Sequence, residues 1–545
     1  MKKVLLAALV ASTGCAGNVA PEASVESTSQ AVVTVSAATT GGAPSTKKSH
    51  GLPPVRPGVY PAGRGAPGHG GGQGSGKWTT VANTPVTAAP GFSILLTDGS
   101  VMVQDLNTYG NGWWKLTPDT TGSYVNGTWT TLAPMPNGYA PLYFAAGVLP
   151  DGRVIVMGGE YQAFNPTWTT QGAIYDPVLD QWTSVAPPAG WQTIGDAQSA
   201  VLADGRFVLA NCCTTDMAVL NPTTLTWSPI GSGKADIFDE EGWTLLWNGD
   251  VLTVDANNTA NLTNSEIFFP GTARKPAVWT SAGSTGVQLA DLGADGSGSH
   301  ELGPAMLRPD GTVFASGAIG HTAIYDSLRG TWKAGPDFPV LAGEGQMDQA
   351  DGPAALLPDG NVLVAASWGV FNGPVHFFEF DGTSLTQVAE PADSVYDSSY
   401  NINLLLLPSG EVLETDFSGD VEIYTPTGHA RGCWAPSPDS CGLSSLHRGK
   451  SYSISGEQLH GLSQGTSYGD DAQAATNYPI ARITNRATGH VGFGRTHSFN
   501  SFSIAPGAWS KATLDIPSTV ELGDSDLVII ANGIASSPIR TTIGQ

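Results

Sequence analysis

A two-residue turn recurs seven times along this chain and constrains its fold more than any other feature. Each turn follows an apolar stretch and precedes a valine-rich strand, and successive turns are 44 to 62 residues apart. The turns are Asp98-Gly99, Asp151-Gly152, Asp204-Gly205, Asn248-Gly249, Asp310-Gly311, Asp359-Gly360 and Ser409-Gly410. Asp-Gly and Asn-Gly favour type I′ hairpins because both central positions of that turn need positive φ. Each repeat is therefore predicted to begin with a tight β-hairpin.

A second hairpin follows in most repeats, and a tryptophan marks its outer strand. Two hairpins in roughly 50 residues make one four-stranded blade, and repeated blades close into a propeller. We predict an all-β protein with a seven-bladed β-propeller over residues 77–440. Trp78-Thr79-Thr80 is predicted to supply the outer strand of the last blade and so to close the ring. At this period, packing between blades is the expected role of Trp182, Trp227, Trp279 and Trp332.

The turn pattern stops near Cys441, and a different run of short strands follows. The strand-like segments are Ser451–Leu459, Tyr478–Asn485, His490–Ser498, Lys511–Ser518, Asp526–Asn532 and Pro538–Ile543. About a hundred residues with six or seven short strands are typical of an immunoglobulin-like β-sandwich. We therefore predict such a sandwich over residues 441–545.

The N-terminus has the features of an export signal. Lys2 and Lys3 precede a short apolar run, and Ser12-Thr13-Gly14-Cys15 resembles a bacterial lipobox in which Cys15 is lipidated. Ordinary signal cleavage nearby is the alternative. Residues 16–76 are rich in Gly, Pro, Ser and Ala and are predicted to form a disordered tether. We expect an exported protein, either secreted or held at the bacterial outer membrane or cell surface, with the lipid anchor as its one membrane attachment.

The net charge excludes one class of binding partner, and the positions of the cysteines indicate which disulfide bonds could form. The net charge is −23, and an acidic surface repels phosphate backbones, so nucleic acid is not an expected partner. Cys433 and Cys441 flank a short loop and are predicted to form a disulfide in an oxidising compartment. Cys212 and Cys213 are adjacent, and the sequence is compatible with a vicinal disulfide or with a buried reduced pair.

The repeats resemble kelch repeats, whose double glycine is present at Gly158-Gly159. The tail resembles an early-set domain in Gly456-Glu457-Gln458-Leu459, in the stretch from Tyr468 to Gln473, and in Ala531-Asn532-Gly533-Ile534. A kelch propeller followed by such a tail is similar to galactose oxidase and its bacterial relatives, from about Trp78 to the C-terminus.

That family resemblance implies a copper site, which this chain matches only in part. The family holds copper with two tyrosines and two histidines, and one tyrosine is cross-linked to a cysteine. Tyr400 matches one tyrosine and His497 one histidine, whereas Asn401, Asp196 and Ala145 stand where the other histidine, the second tyrosine and the cysteine are expected. Copper(II) favours nitrogen-rich tetragonal sites. Radical copper chemistry is therefore disfavoured, and Tyr400 with His497 is left as a candidate metal pair.

A group of acidic and aromatic residues stands shortly before six of the seven turns, where the innermost strands of a propeller begin. These candidates for a ligand site at one mouth are Tyr143, Asp196, Glu240, Glu241, Glu301, Asp351 and Tyr400. Three interpretations remain open. The carboxylates could chelate a metal, with calcium favoured by oxygen ligands; they could bind or process a sugar; or they could cap turns at strand starts.

We therefore expect a surface-displayed protein that recognises extracellular carbohydrate or another envelope component at the propeller mouth. An oxidoreductase related to carbohydrate and alcohol oxidases, with an altered metal site, is the alternative from a different class. A structural envelope protein is the third hypothesis. The residues indicate no oligomeric state, and fold alone does not decide among these functions.

Overall fold

The computed structural model describes residues 76–85, 88–469 and 473–545, all of which belong to one compact unit. The predicted export signal, the candidate lipidation site Cys15 and nearly all of the predicted tether lie outside the described residues. In the part of the chain that is described, no helix is long and apolar enough to cross a membrane.

The described residues form seven units of four antiparallel strands, which we number as blades 1 to 7; six are separate four-stranded sheets, and blade 6 is part of a seven-stranded sheet. The strands of each blade are given from the innermost to the outermost. Blade 1 consists of Pro90–Leu95, Val101–Asp105, Gly112–Thr117 and Thr128–Leu132, and blade 2 of Ala145–Val148, Val154–Met157, Gly172–Asp176 and Gln181–Ser184. Blade 3 consists of Ser199–Val201, Phe207–Ala210, Met217–Asn221 and Thr226–Ile230. Blades 4 and 5 are Thr244–Leu245, Val251–Val254, Asn264–Phe269, Val278–Ser284; and Leu302–Leu307, Thr312–Gly317, Thr322–Asp326, Thr331–Ala334. Blades 6 and 7 are Ala354–Leu356, Val362–Trp368, His376–Phe380, Leu385–Gln387; and Asn403–Leu406, Val412–Thr415, Glu422–Thr425, Lys77–Thr80. The all-β propeller prediction is confirmed.

The ring closes as the sequence predicted, because the first described strand joins the last blade. Lys77–Thr80 pairs antiparallel with Glu422–Thr425. Trp78 fixes this closure: its ring centroid lies 4.8 Å from that of Phe377, and its Nε1 donates to the Ala389 carbonyl at 2.6 Å. Trp182 and Trp227 likewise donate to the carbonyls of Ala133 and Ala186, just beyond the outer strand of the preceding blade. The outer-strand tryptophans therefore join neighbouring blades.

Short elements complete the propeller. They are the strands Pro141–Leu142, Tyr161–Gln162, Asn165–Pro166, Val340–Leu341 and Gly345–Asp348, and the 3₁₀ turns Leu106–Thr108, Pro136–Gly138, Ser394–Tyr396, Ser399–Asn401 and Gly432–Trp434. They border the blades and the connectors between them.

The C-terminal part is a curled nine-stranded sheet among the described residues. Its strands are Ser437–Pro438, Ser445–His447, Ser451–Glu457, Ile480–Asn485, Val491–His497, Trp509–Asp515, Gly523–Ala531, Ile534–Ala535 and Ile539–Gly544. The sheet rests on the end of the ring that bears the seven turns, which we call the turn end. There Thr496 N donates to Thr97 O at 3.1 Å, and Phe502 N donates to Ala203 O at 2.8 Å.

One segment of the C-terminal part enters the propeller. Residues 462–469, which we call the axial segment, contain the strand Thr466–Ser467, which pairs with the innermost strand of blade 6. Leu245 N of blade 4 donates to Gln464 Oε1 at 2.8 Å, and Leu406 N of blade 7 donates to Thr466 Oγ1 at 3.0 Å. Contact with the inner strands of three blades places this segment along the propeller axis.

The cysteines differ in part from expectation. Cys441 is an exposed free thiol, so the predicted Cys433–Cys441 disulfide is wrong for the described structure. The chain between these residues is drawn out along a neighbouring strand rather than closed into a loop, because Ser437 and Pro438 pair with Glu457 and Gly456. Cys212 and Cys213 form the vicinal disulfide, one of the two alternatives left open.

Candidate functional site

The candidate site lies at the end of the ring opposite the turn end, where the inner strands begin; we call it the mouth. Tyr143, Glu240 and Asp351 each stand nine residues before the turn glycine of their blade. All three have left-handed backbones, with φ of 49°, 64° and 45°. His300 of blade 5 is also left-handed, with φ of 74°. Non-glycine residues keep this conformation only where their surroundings hold it, and such positions cluster at functional sites.

Three predicted carboxylates meet at the mouth. One carboxylate oxygen from each of Glu240, Glu301 and Asp351 lies within 4.8 Å of the others; we call these residues the acidic trio. They come from blades 4, 5 and 6, and consecutive blades of a propeller bring equivalent positions together around the axis. This convergence makes one region of the mouth strongly acidic, suited to a cation or to the hydroxyl groups of a ligand.

Tyrosines form the neighbouring side of the mouth. The ring centroid of Tyr143 lies 6.1 Å from that of Tyr161 and 6.4 Å from that of Tyr468. Tyr468 Oη donates to the backbone carbonyl of Tyr400 at 2.8 Å, and Tyr400 packs edge-on against Phe371. Burial, and then nearby groups that include Asp351, raise the pKa of Tyr143 well above its usual value, so its phenol remains protonated.

A small cavity opens between these tyrosines. Its lining includes Phe92, Gln104, Tyr143, Tyr400, Phe417 and Tyr468. Tyr468 belongs to the axial segment, and it was not among the site residues predicted from the sequence. Its only signal there was its place in the tail motif.

Asp196 occupies a separate part of the mouth region. One of its oxygens lies within 4.8 Å of an Asp239 oxygen and of Cys212 Sγ. Because Cys212 is bonded to Cys213, its sulfur is not a thiolate ligand. Asp196 therefore lies beside Asp239 and the vicinal disulfide, and Asp196 is not part of the acidic trio.

The expectation that Glu241 lies at the mouth is corrected. Its side chain is fully buried in blade 4, where Oε1 lies 2.8 Å from the Lys234 ammonium, and Oε2 accepts from Thr253 Oγ1 at 3.1 Å. Glu240 and Glu241 are consecutive residues in different environments, and the buried lysine binds the second of them.

His497 and Tyr400 are not brought together, which corrects the expectation of a shared metal site. His497 Nε2 lies 3.1 Å from Asp515 Oδ2 at the turn end. Its neighbour Arg495 donates from Nη2 to Asp151 O at 2.8 Å, within one of the seven turns. Asn401 is also engaged, since its Oδ1 accepts from Ser398 N at 3.1 Å. These residues do not fit a copper site.

The chain was compared with known proteins. No family model matches it. Kelch-like protein terF of Aspergillus terreus is 32% identical over 95 residues, which are 17% of this chain and 20% of the relative. The match therefore spans about a fifth of that relative's length.

Among solved structures, a novel fungal alcohol oxidase of the AA5 family in complex with copper is 14% identical, with a TM-score of 0.47, covering 86% of this chain and 100% of the other. YjhT is 13% identical, with a TM-score of 0.38 and coverage of 57% and 99%. Virginiamycin B lyase from Staphylococcus aureus is 9% identical, with a TM-score of 0.41 and coverage of 64% and 98%. These likenesses bear on the fold alone. The local match to a kelch-like protein agrees with the propeller fold seen in the structure.

Proposed function

We propose that this chain is an exported recognition protein whose mouth binds an extracellular carbohydrate. The observation that carries the proposal is the acidic trio beside the tyrosines of the mouth. Neighbouring hydroxyl groups of a sugar donate hydrogen bonds to carboxylates, and hydrogen bonds to charged groups are the stronger kind. Aromatic faces pack against the apolar C–H faces of a sugar ring, with a polar group at their edge.

The arrangement favours recognition over oxidation. The site holds carboxylates and protonated phenols, while the histidine expected from the family resemblance lies at the turn end. Binding sites of this kind are concave and mostly apolar, with a few polar groups that fix orientation. The left-handed backbones of Glu240 and Asp351 hold two of those polar groups in place.

The mouth proposal is tested by glycan-array and calorimetric binding of the full-length protein. The test variant combines Glu240→Gln, Glu301→Gln and Asp351→Asn, and we expect it to lose retention on every glycan that the unaltered protein binds. The control removes three carboxylates from the C-terminal sheet region through Glu521→Gln, Asp524→Asn and Asp526→Asn, and it should bind normally. Equal loss in both variants, or retention in the first, would overturn the proposal.

Export and surface attachment form a separate part of the proposal, supported by Lys2, Lys3 and Cys15. Replacing Cys15 by Ser should shift the protein from the membrane fraction to the medium and abolish incorporation of a labelled fatty acid. Unchanged fractionation of the variant would show that Cys15 is not an anchor.

A further inference from the structure

Six carboxylates gather beside blade 7, away from the acidic trio. We call them the blade 7 cluster: Asp393, Asp397, Glu414, Asp416, Asp420 and Glu422. One oxygen from each of Asp393, Asp420 and Glu422 lies within 4.8 Å of the others. In the described residues, no lysine, arginine or histidine forms an ion pair with any of the six, and the electrostatic neighbours of Glu414 and Glu422 are other acids.

Glu414 is the least expected member of the cluster. It stands four residues after the turn glycine, where the other blades have Val103, Val156, Leu209, Thr253, Ala315 and Val364. Its side chain is 1% exposed, and Oε2 has no hydrogen-bond partner among the described residues. Glu422, directly opposite on the next strand, is 5% exposed, and its Oε2 likewise has no partner there. Buried carboxylates are costly unless something compensates their charge.

Blade 4 has a cluster at equivalent positions with its own cation. Asp236 and Asp397 each stand thirteen residues before their turn glycine, and Asp255 and Asp416 each stand six after it. Glu266 pairs with Thr253 across the strands as Glu422 pairs with Glu414.

In blade 4 the compensating charge is a lysine. Lys234 Nζ is fully buried and lies 2.8 Å from both Glu241 and Glu266, 3.5 Å from Asp255, and against Asp236. We call these five residues the lysine cluster. By distance from the turn glycine, the residue of blade 7 that corresponds to Lys234 is Val395, whose side chain is 49% exposed.

We propose that the blade 7 cluster binds one calcium ion, which takes the role that the Lys234 ammonium has in blade 4. Calcium is held by six to eight oxygens at about 2.3–2.6 Å, so two oxygens of one site lie within about 5 Å. Asp393, Asp420 and Glu422 meet that limit, and Glu414 Oε2 is a fourth oxygen in the cluster without a partner. All available donors are oxygens, which favours calcium over zinc or copper.

The proposal is tested by titrating calcium chloride into full-length, chelator-treated protein by calorimetry, with thermal unfolding measured in parallel. Glu414→Val introduces the residue of blades 1, 2 and 6. We expect it to bind one calcium ion fewer than the unaltered protein and to show a smaller calcium-dependent rise in Tm. Thr253→Val makes the corresponding change in blade 4 and should leave both unchanged.

Any calcium bound at the acidic trio would be bound equally by the unaltered protein and by both variants. The difference in calcium stoichiometry between them therefore reports on the blade 7 cluster alone. A second variant, Asp420→Asn, lies in the partly exposed hairpin loop and should weaken calcium binding at least tenfold. The proposal is overturned if the unaltered protein binds no calcium, or if Glu414→Val and Asp420→Asn bind it with unaltered stoichiometry and affinity.

Discussion

Blades 4 and 7 have buried carboxylates at equivalent positions but differ in what opposes their charge. In blade 4 the Lys234 ammonium lies among four carboxylates and also over the rings of Phe238 and Trp279, at 5.5 and 5.9 Å from their centroids. Blade 7 has an exposed Val395 at the lysine position and an additional buried acid, Glu414. The same repeat thus carries one cluster with an internal cation and one without.

This difference shows how a repeat can keep its shape while changing its chemistry. Both clusters support loops that border the mouth. Asn257 N donates to Asp236 at 3.0 Å, and the Asn257 side chain contacts Asp239 O and His300. In blade 7, Phe417 stands between two members of the cluster and lines the cavity beside Tyr400. A cation at either place would therefore stabilise one side of the mouth.

The largest expected effect comes from removing the internal cation of blade 4. Lys234→Met leaves buried carboxylates without their ammonium partner, and breaking a buried pair in this way costs about 3–5 kcal/mol. We expect a fall of that size in the free energy of unfolding by urea. Lys333→Met, at an exposed position on the outer strand of blade 5, is the control and should change it by less than about 0.5 kcal/mol. Equal stability of the two variants would remove the basis of the comparison.

The next effect is the pH dependence of stability without metal. The folded-state pKa values of Asp416, Asp397 and Glu422 are raised to about 7, 9 and 10, above those of the unfolded chain. The folded protein therefore binds more protons than the unfolded protein in this window, and its stability falls as pH rises.

We expect a loss of several kcal/mol between pH 6.5 and 9 in metal-free buffer, measured by urea unfolding. This range avoids the opposite trend from His460, because burial lowers the pKa of that histidine to about 4 and its contribution is lost only as pH falls below about 6.5. Glu422→Gln should flatten the profile. A profile that rises with pH, or one that Glu422→Gln leaves unaltered, would contradict the account.

A smaller effect distinguishes the two clusters more sharply, because matched substitutions should change the free energy of unfolding in opposite directions. Glu266→Gln removes one partner of Lys234 and should destabilise the protein by about 1–3 kcal/mol. Glu422→Gln, at the equivalent position of blade 7, removes the free-energy cost of keeping a buried carboxyl protonated at pH 8 and should stabilise metal-free protein by about 1 kcal/mol or more. Both values come from urea unfolding in the same buffer. Changes of the same sign would contradict the claim that the carboxylates have a compensating cation in blade 4 but not in blade 7.

Much of the fold could be predicted from the sequence because its signals are local and repeated. The Asp-Gly and Asn-Gly turns marked the inner hairpins, and Trp78 marked the strand that closes the ring. The register of the turns also located Glu240, Glu301 and Asp351, because equivalent residues of neighbouring blades meet around the axis.

The errors arose where contacts between distant segments decide the outcome. The sequence does not show which part of the tail enters the axis, and the structure places residues 462–469 there, with His497 at the turn end. Glu241 was predicted at the mouth from its distance to the turn, whereas its side chain binds Lys234, seven residues earlier, which the turn pattern does not reveal. Glu414 did have a detectable signal, an acid at a position that is apolar in most other blades.

The most direct test of the central claim is to give blade 7 the cation of blade 4. Val395→Lys places a lysine at the register position of Lys234, and calcium binding and Tm are then measured with and without chelator. The account predicts that the variant binds one calcium ion fewer than the unaltered protein and that chelation lowers its Tm by less than it lowers that of the unaltered protein. Calcium binding and chelator sensitivity equal to those of the unaltered protein would contradict it.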